Sequence, residues 1–171
     1  MKKQLLISIV FISIFSNAFC QKGSLFVGLG PAIGFPFSNK NFSYYYKNGI
    51  GGSLHSNIGI AKLGSIIISV QHISIGAEHP PVSKTSLTMI KTGYRTNFSG
   101  SKFFASTDAG LARYGSGSSH FVIGGTVGYS FKISKKAYID LFPTYNQIIG
   151  TLTNGMWLTA NILCRFNLKK S

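Results

Sequence analysis

Acidic residues are nearly absent from this chain. Glu78, Asp108 and Asp140 are the only three in 171 residues, against seventeen Lys and Arg, for a formal net charge of +14. Such an excess raises nucleic acid as a partner, but the cations form no run or helical stripe. Lys40, Lys47, Lys84, Lys102, Lys135, Lys136, Lys169 and Lys170 fall at segment ends instead. That spacing suits rims facing charged lipid headgroups, where each Lys or Arg gains roughly 1 kcal/mol near an anionic surface. No nucleic acid is expected. Cysteine is scarce as well: Cys20 and Cys164 are the whole supply, and with Cys20 in a leader no internal disulfide framework is possible. Beyond the first twenty residues no run of eighteen apolar residues occurs, which excludes a transmembrane helix. The length leaves no room for a second domain. His55 and His120 have no Cys or acid at ligand spacing, so neither a metal site nor a cofactor is expected.

What is present begins with an address. Met1-Lys2-Lys3 is a basic n-region, Leu5 to Phe15 an apolar h-region, and Ala18-Phe19-Cys20 puts small residues where a signal peptidase reads them. Residues 1–20 are expected to be a cleaved signal peptide and residues 21–171 the mature domain. A lipid anchor on Cys20 fits less well, because Asn17-Ala18-Phe19 lacks the Leu and small residues that such processing wants.

From Ser24 onward, segments of β-type composition alternate with clusters of Gly, Ser, Asn, Pro and Lys. The expected strands are Ser24 to Phe35, Gly49 to Ala61, Ser65 to Gly76, Thr85 to Asn97, Lys102 to Tyr114, His120 to Ile133, Ala137 to Ile149 and Met156 to Leu168. Each is long enough to cross a bilayer at a tilt. Period-two patterning is clearest late: Phe121, Ile123, Val127, Tyr129, Phe131 and Ile133 share one face, and Gly124, Thr126, Gly128, Ser130 and Lys132 the other. The last strand sets Met156, Leu158, Ala160, Ile162, Cys164, Phe166 and Leu168 against Trp157, Thr159, Asn161, Arg165 and Asn167, with Leu163 the exception.

Alternation alone does not say which face points inward. In a membrane barrel the apolar set faces lipid and the polar set fills the lumen; in a soluble periplasmic barrel that binds an apolar ligand the sense is reversed. Connections read as long then short, Pro36 to Asn48 before Lys62 to Gly64 and Ala77 to Lys84 before Phe98 to Ser101, which puts both chain ends on the short-turn side. Aromatics then collect at two heights. Phe35, Phe37, Tyr114, Phe121, Tyr145 and Trp157 fall near the outer rim; Tyr94, Phe98, Phe103, Tyr129, Phe131, Tyr138 and Phe166 fall near the inner one. Interfacial girdles of rings favour the membrane reading. The expected fold is all-β, an eight-stranded antiparallel up-and-down transmembrane β-barrel.

On the Gly-rich Phe26-Val27-Gly28-Leu29-Gly30, the Gly124-Gly125-Thr126-Val127-Gly128-Tyr129 run and the closing Trp157 to Phe166 strand, the chain resembles the small porin-like outer-membrane β-barrel family of Gram-negative bacteria. The resemblance covers the mature chain. It implies residence in the outer membrane, contact with outer-membrane lipids including lipopolysaccharide, insertion by the barrel-insertion machinery, and a monomer. Members of that family end on an aromatic residue, whereas here Phe166 is followed by Asn167 to Ser171.

An eight-stranded barrel leaves an interior just wide enough for side chains. Alternation assigns Lys91, Arg95, Asp108, Lys132, Asp140 and Arg165 to it, where two acids among several bases would form charge-assisted pairs. The expectation is a structural plug, the alternative a narrow or anion-preferring path. His72 and Ser74 share one face of a strand, and this pair resembles the His-x-Ser of a barrel-borne lipid A deacylase family; a base and nucleophile so placed need an acid to orient the imidazole. Glu78 has the right parity only if the strand runs past Gly76, the neighbouring strand around Ser86 carries no acid, and Asn does not follow Ser74. An enzyme is therefore not expected. Phe42, Tyr44, Tyr45, Tyr46 and Lys47, within the Pro36 to Asn48 loop, place rings and a cation where sugars or lipid headgroups could bind. The plainer reading makes the rings an extension of the outer girdle. The expected role is structural or surface-interacting.

Overall fold

A computed structural model describes residues 24–37, 46–60, 63–77, 84–98, 101–150 and 155–168. They form β1 (Leu25–Pro36), β2 (Tyr46–Gly59), β3 (Gly64–Ala77), β4 (Thr85–Asn97), β5 (Phe103–Tyr114), β6 (Ser119–Lys132), β7 (Ala137–Ile149) and β8 (Gly155–Asn167). Every strand pairs antiparallel with its neighbour in sequence, and β8 pairs back to β1, closing the barrel in simple up-and-down order. Closure leaves no free strand edge. β4 and β7 lie at the residues expected, while β2 begins three residues earlier than its composition announced, at Tyr46. The loop rhythm is weaker than the sequence reading had it: the β5–β6 connection, residues 115–118, is no longer than the β6–β7 one, residues 133–136.

The side-chain period of two sorts the faces. Leu29, Ile50 and Val127 point outward and are 61%, 70% and 63% exposed, and Ile90, Leu111, Ile162 and Phe166 join them in the same belt. A continuous aliphatic surface of this size around the barrel is stable only against lipid. The reverse arrangement, which a soluble ligand-binding barrel needs, is not found. Among the described residues no helix is long and apolar enough to cross a membrane; the strands do the crossing.

Three aromatics expected in the girdles turn inward. Trp157 shares the face of Thr159 and Asn161 and is fully buried, its indole N–H donating to the Tyr114 hydroxyl at 2.9 Å. Tyr114 packs against the inner apolar cluster, and Tyr138 lies under the Arg165 guanidinium, 5.0 Å from its ring centre. Height along a strand does not choose a face; parity does. Phe37, Phe121 and Tyr145 at one end, and Phe98, Phe103, Phe131 and Phe166 at the other, remain exposed outside.

Two prolines sit inside strands. Pro143 in β7 and Pro31 in β1 have no N–H to give the ladder. The β1–β8 pairing skips Gly30 and Pro31 between Leu29↔Cys164 and Ala32↔Asn161, and the β6–β7 pairing is interrupted between Thr126↔Thr144 and Tyr129↔Leu141, opposite Pro143. Register is unchanged across both gaps, so these are lost bonds and not bulges.

Candidate functional site

The interior is layered. Toward the end where β1 finishes and β2 begins, Ile73, Ile75, Leu87, Met89, Ala112, Val122, Ile148 and Trp157 form one buried apolar cluster, with Tyr46 and Tyr114 packed on it. The two tyrosine rings stack with centroids 6.3 Å apart. This cluster fills the lumen at the long-loop end. It is built by the inward positions of the outer thirds of β3, β4, β5, β6, β7 and β8, which are apolar where the middle thirds are polar.

Beneath it lies a first ionic layer. Lys91 Nζ is 2.9 Å from Asp108 Oδ1 and donates to Asn146 Oδ1 at 2.7 Å. Gln71 donates to Asn161 at 2.9 Å, and Thr126 and Thr144 share a hydrogen bond of 2.8 Å. The layer closes tightly because Gly124 offers no side chain: a Cβ there would strike Asp108 Oδ1, with Lys91 Nζ and Asn146 Oδ1 close behind. A void of about 20 Å³ remains beside His55, Lys91, Phe104 and Asp108, room for about one water. His55 lies edge-on to Phe142, ring centroids 5.5 Å apart.

A second ionic layer follows toward the short-turn end. Asp140 is completely buried and accepts from Arg95 Nη1 at 2.6 Å, Ser130 Oγ at 2.5 Å and Arg165 Nη2 at 3.4 Å, with Arg165 Nε 3.0 Å away in the ion pair. Arg95 also donates to Ser130 Oγ at 2.9 Å and to Asn97 Oδ1 at 3.2 Å. Its guanidinium carbon sits 3.5 Å from the centre of the Phe104 ring, while that of Arg165 lies 4.5 Å from Phe26. Rings flank both cations, which adds cation–π attraction and holds the forks in place. Phe104, Phe142 and Leu163 pack beside the two layers.

Five of the six residues assigned to the lumen by alternation are thus buried in ion pairs, Lys91 with Asp108 and Arg95 and Arg165 with Asp140. Lys132 shares their parity but lies exposed at the short-turn mouth, with no ion pair among the described residues. Sequence reasoning missed Asn146, Ser130, Gln71 and Asn161 as members of the network. The signal was available in parity, since Asn146 lies on the face of Asp140 and Thr144, but neutral side chains do not announce an interior role as charges do.

The His72 and Ser74 pair faces outward. His72 Nδ1 lies 2.8 Å from Thr88 Oγ1, its register partner on β4, and not at Ser74. Asp108 and Asp140 are both committed inside, and Glu78 lies outside the described residues. No acid among the described residues orients the imidazole. Tyr46 and Lys47 open β2, Tyr46 half-buried against the apolar cluster and Lys47 exposed; Phe42, Tyr44 and Tyr45 lie outside the described residues. Among those described, no cluster of His, Cys, Asp and Glu is fit to hold a metal ion.

The geometry defines a class, the closed eight-stranded antiparallel barrel with an apolar outer wall and a packed, ion-paired interior. Solved structures share the barrel fold. The crystal structure of Neisserial surface protein A matches with a TM-score of 0.71 at 16% identity, covering 86% of this chain and 100% of its own. Ail, the attachment invasion locus protein of Yersinia pestis, matches with a TM-score of 0.59 at 13% identity over 86% of this chain and 99% of its own. The outer membrane protein OprG from Pseudomonas aeruginosa matches with a TM-score of 0.53 at 8% identity over 88% and 96%. At these identities what is shared is the fold. No protein-family model and no curated sequence matches the chain.

Proposed function

We propose that the protein is a bacterial outer-membrane barrel, exported by residues 1–20, that forms a closed, non-conducting element of the membrane and presents its long-loop end to the exterior as an interaction surface. The observation that carries this reading is the combination of an aliphatic outer belt with an interior filled by an apolar cluster and two ionic layers. Water-filled passage needs a lumen wider than eight strands provide.

Its partners in this reading are outer-membrane lipids, lipopolysaccharide among them, together with the machinery that inserts it; with no free edge it works as a monomer. One outward row supports contact with a phosphorylated headgroup. His72, Thr88, Arg113 and Ser119 are successive register partners across β3, β4, β5 and β6 near the long-loop end. They place a cation and three hydrogen-bonding groups at one height on the lipid-facing wall, and Lys47 adds a second exposed cation at that end.

The test combines fractionation, gel migration of unheated and boiled protein, and conductance across a planar bilayer. The expected result is outer-membrane recovery, a shift on boiling and no discrete conductance steps. Recovery in the soluble fraction would overturn membrane residence, and stepwise conductance would overturn the closed lumen.

A further inference from the structure

Among the described residues, nothing fills the short-turn end of the barrel. Below Asp140 a vestibule of about 380 Å³ opens, lined by Phe26, Asn57, Lys132, Tyr138 and Arg165, with Lys102 at its rim. Among the described residues its lining holds three cations and no carboxylate. Asp140, the nearest acid, is fully buried behind Arg95 and Arg165, and its two oxygens are already engaged by Arg95, Arg165 and Ser130. One carboxylate facing two guanidinium groups leaves the layer net positive before Lys132 is counted, and charge in a recess walled by low dielectric calls for a counter-ion.

The cations are also aligned. Lys132 pairs in register with Tyr138, and Tyr138 with Arg165, so the three stand side by side on β6, β7 and β8. Neighbouring strands lie about 4.8 Å apart, which sets Lys132 and Arg165 roughly 10 Å apart at the backbone, with the phenol between them. Asn57, only 3% exposed, lines the same recess. Above this floor the ionic layers and the apolar cluster block passage, so a solute entering here stops here.

We propose that this vestibule is a blind binding site for a small soluble phosphate-bearing anion approaching from the side of the chain termini, held between Lys132 and Arg165 with the Tyr138 hydroxyl as a further donor. A bilayer headgroup would offer the same phosphate chemistry, but Lys132 and Arg165 stand at inward-parity positions of β6 and β8, off the lipid-facing wall.

Inorganic pyrophosphate is the probe. The refolded barrel, in nanodiscs of phosphatidylcholine, is titrated calorimetrically, and its backbone amide shifts are followed by NMR. Expected are saturable one-site binding, shifts concentrated in residues 130–138 and 163–167, and at least tenfold weaker binding in Lys132→Gln. Lys132 is exposed and unpaired among the described residues, so this variant should fold. Lys84→Gln, exposed at the opposite end, should bind as the parent does. No saturable binding, or equal weakening by Lys84→Gln, overturns the site. So does a Lys132-dependent response that appears only when phosphatidylglycerol is placed in the disc, since the ligand would then be a headgroup.

Discussion

At the scale of single residues, the interior rests on two carboxylates. Asp140 takes both Arg95 and Arg165, and a buried ion pair is strongly destabilised when one partner is removed, because the other charge stays desolvated. Asp140→Asn keeps the shape and some hydrogen bonding but leaves two guanidinium groups uncompensated. The expected cost is about 3–5 kcal/mol, read from urea unfolding in lipid vesicles. Lys132→Gln should change the same midpoint little, since that ammonium is exposed at the mouth. Charge made these residues legible in the sequence, because a Lys or Asp on an alternating strand must either reach water or find a partner. Their neutral collaborators were not legible. Gly124 illustrates the point: in the sequence it is one small residue among several, and only the packed lumen shows that its missing side chain is what lets Lys91 and Asp108 meet.

At the scale of elements, each strand presents one face to lipid and one to the lumen, and a charge on the wrong face should be penalised by depth. Val127, exposed by 63% near the middle of β6, is a suitable position. Val127→Arg is expected to destabilise the barrel by about 2–4 kcal/mol if it lies at the bilayer midplane. An unchanged stability in vesicles would mean that this face does not meet hydrocarbon. Strand existence was readable from period-two patterning and turn residues, and β4 and β7 were bounded as found. The errors were of other kinds. Trp157, Tyr114 and Tyr138 were assigned by height to girdles, yet parity turns them inward to a hydrogen bond, an apolar cluster and a guanidinium. The interruptions opposite Pro31 and Pro143 depend on which neighbour each strand meets there, which no single strand states.

At the scale of the whole molecule, the two ends differ. Among the described residues the long-loop end holds an apolar cluster around Trp157, the only tryptophan of the chain, and the other end opens into a cationic recess. A fully buried indole reports on that cluster. Emission from Trp157 should shift to shorter wavelength on folding and resist quenching by aqueous acrylamide, and both properties should vanish in urea. Ready quenching of the folded barrel would show that water reaches the apolar cluster.

The sequence alone determined the number of strands, their alternation and the set of charges that share a face, because these follow from the period of an extended chain and the cost of burying unpaired polar groups. Which face points to lipid, which charges meet which, and that one end is packed while the other is hollow were decided only by closure of the barrel. Closure is what brings β8 back to β1 and lets Arg95 of β4 meet Asp140 of β7 across the lumen. That contact joins strands that are not neighbours in sequence, and its energy depends on a low-dielectric interior that does not exist until the last strand is in place.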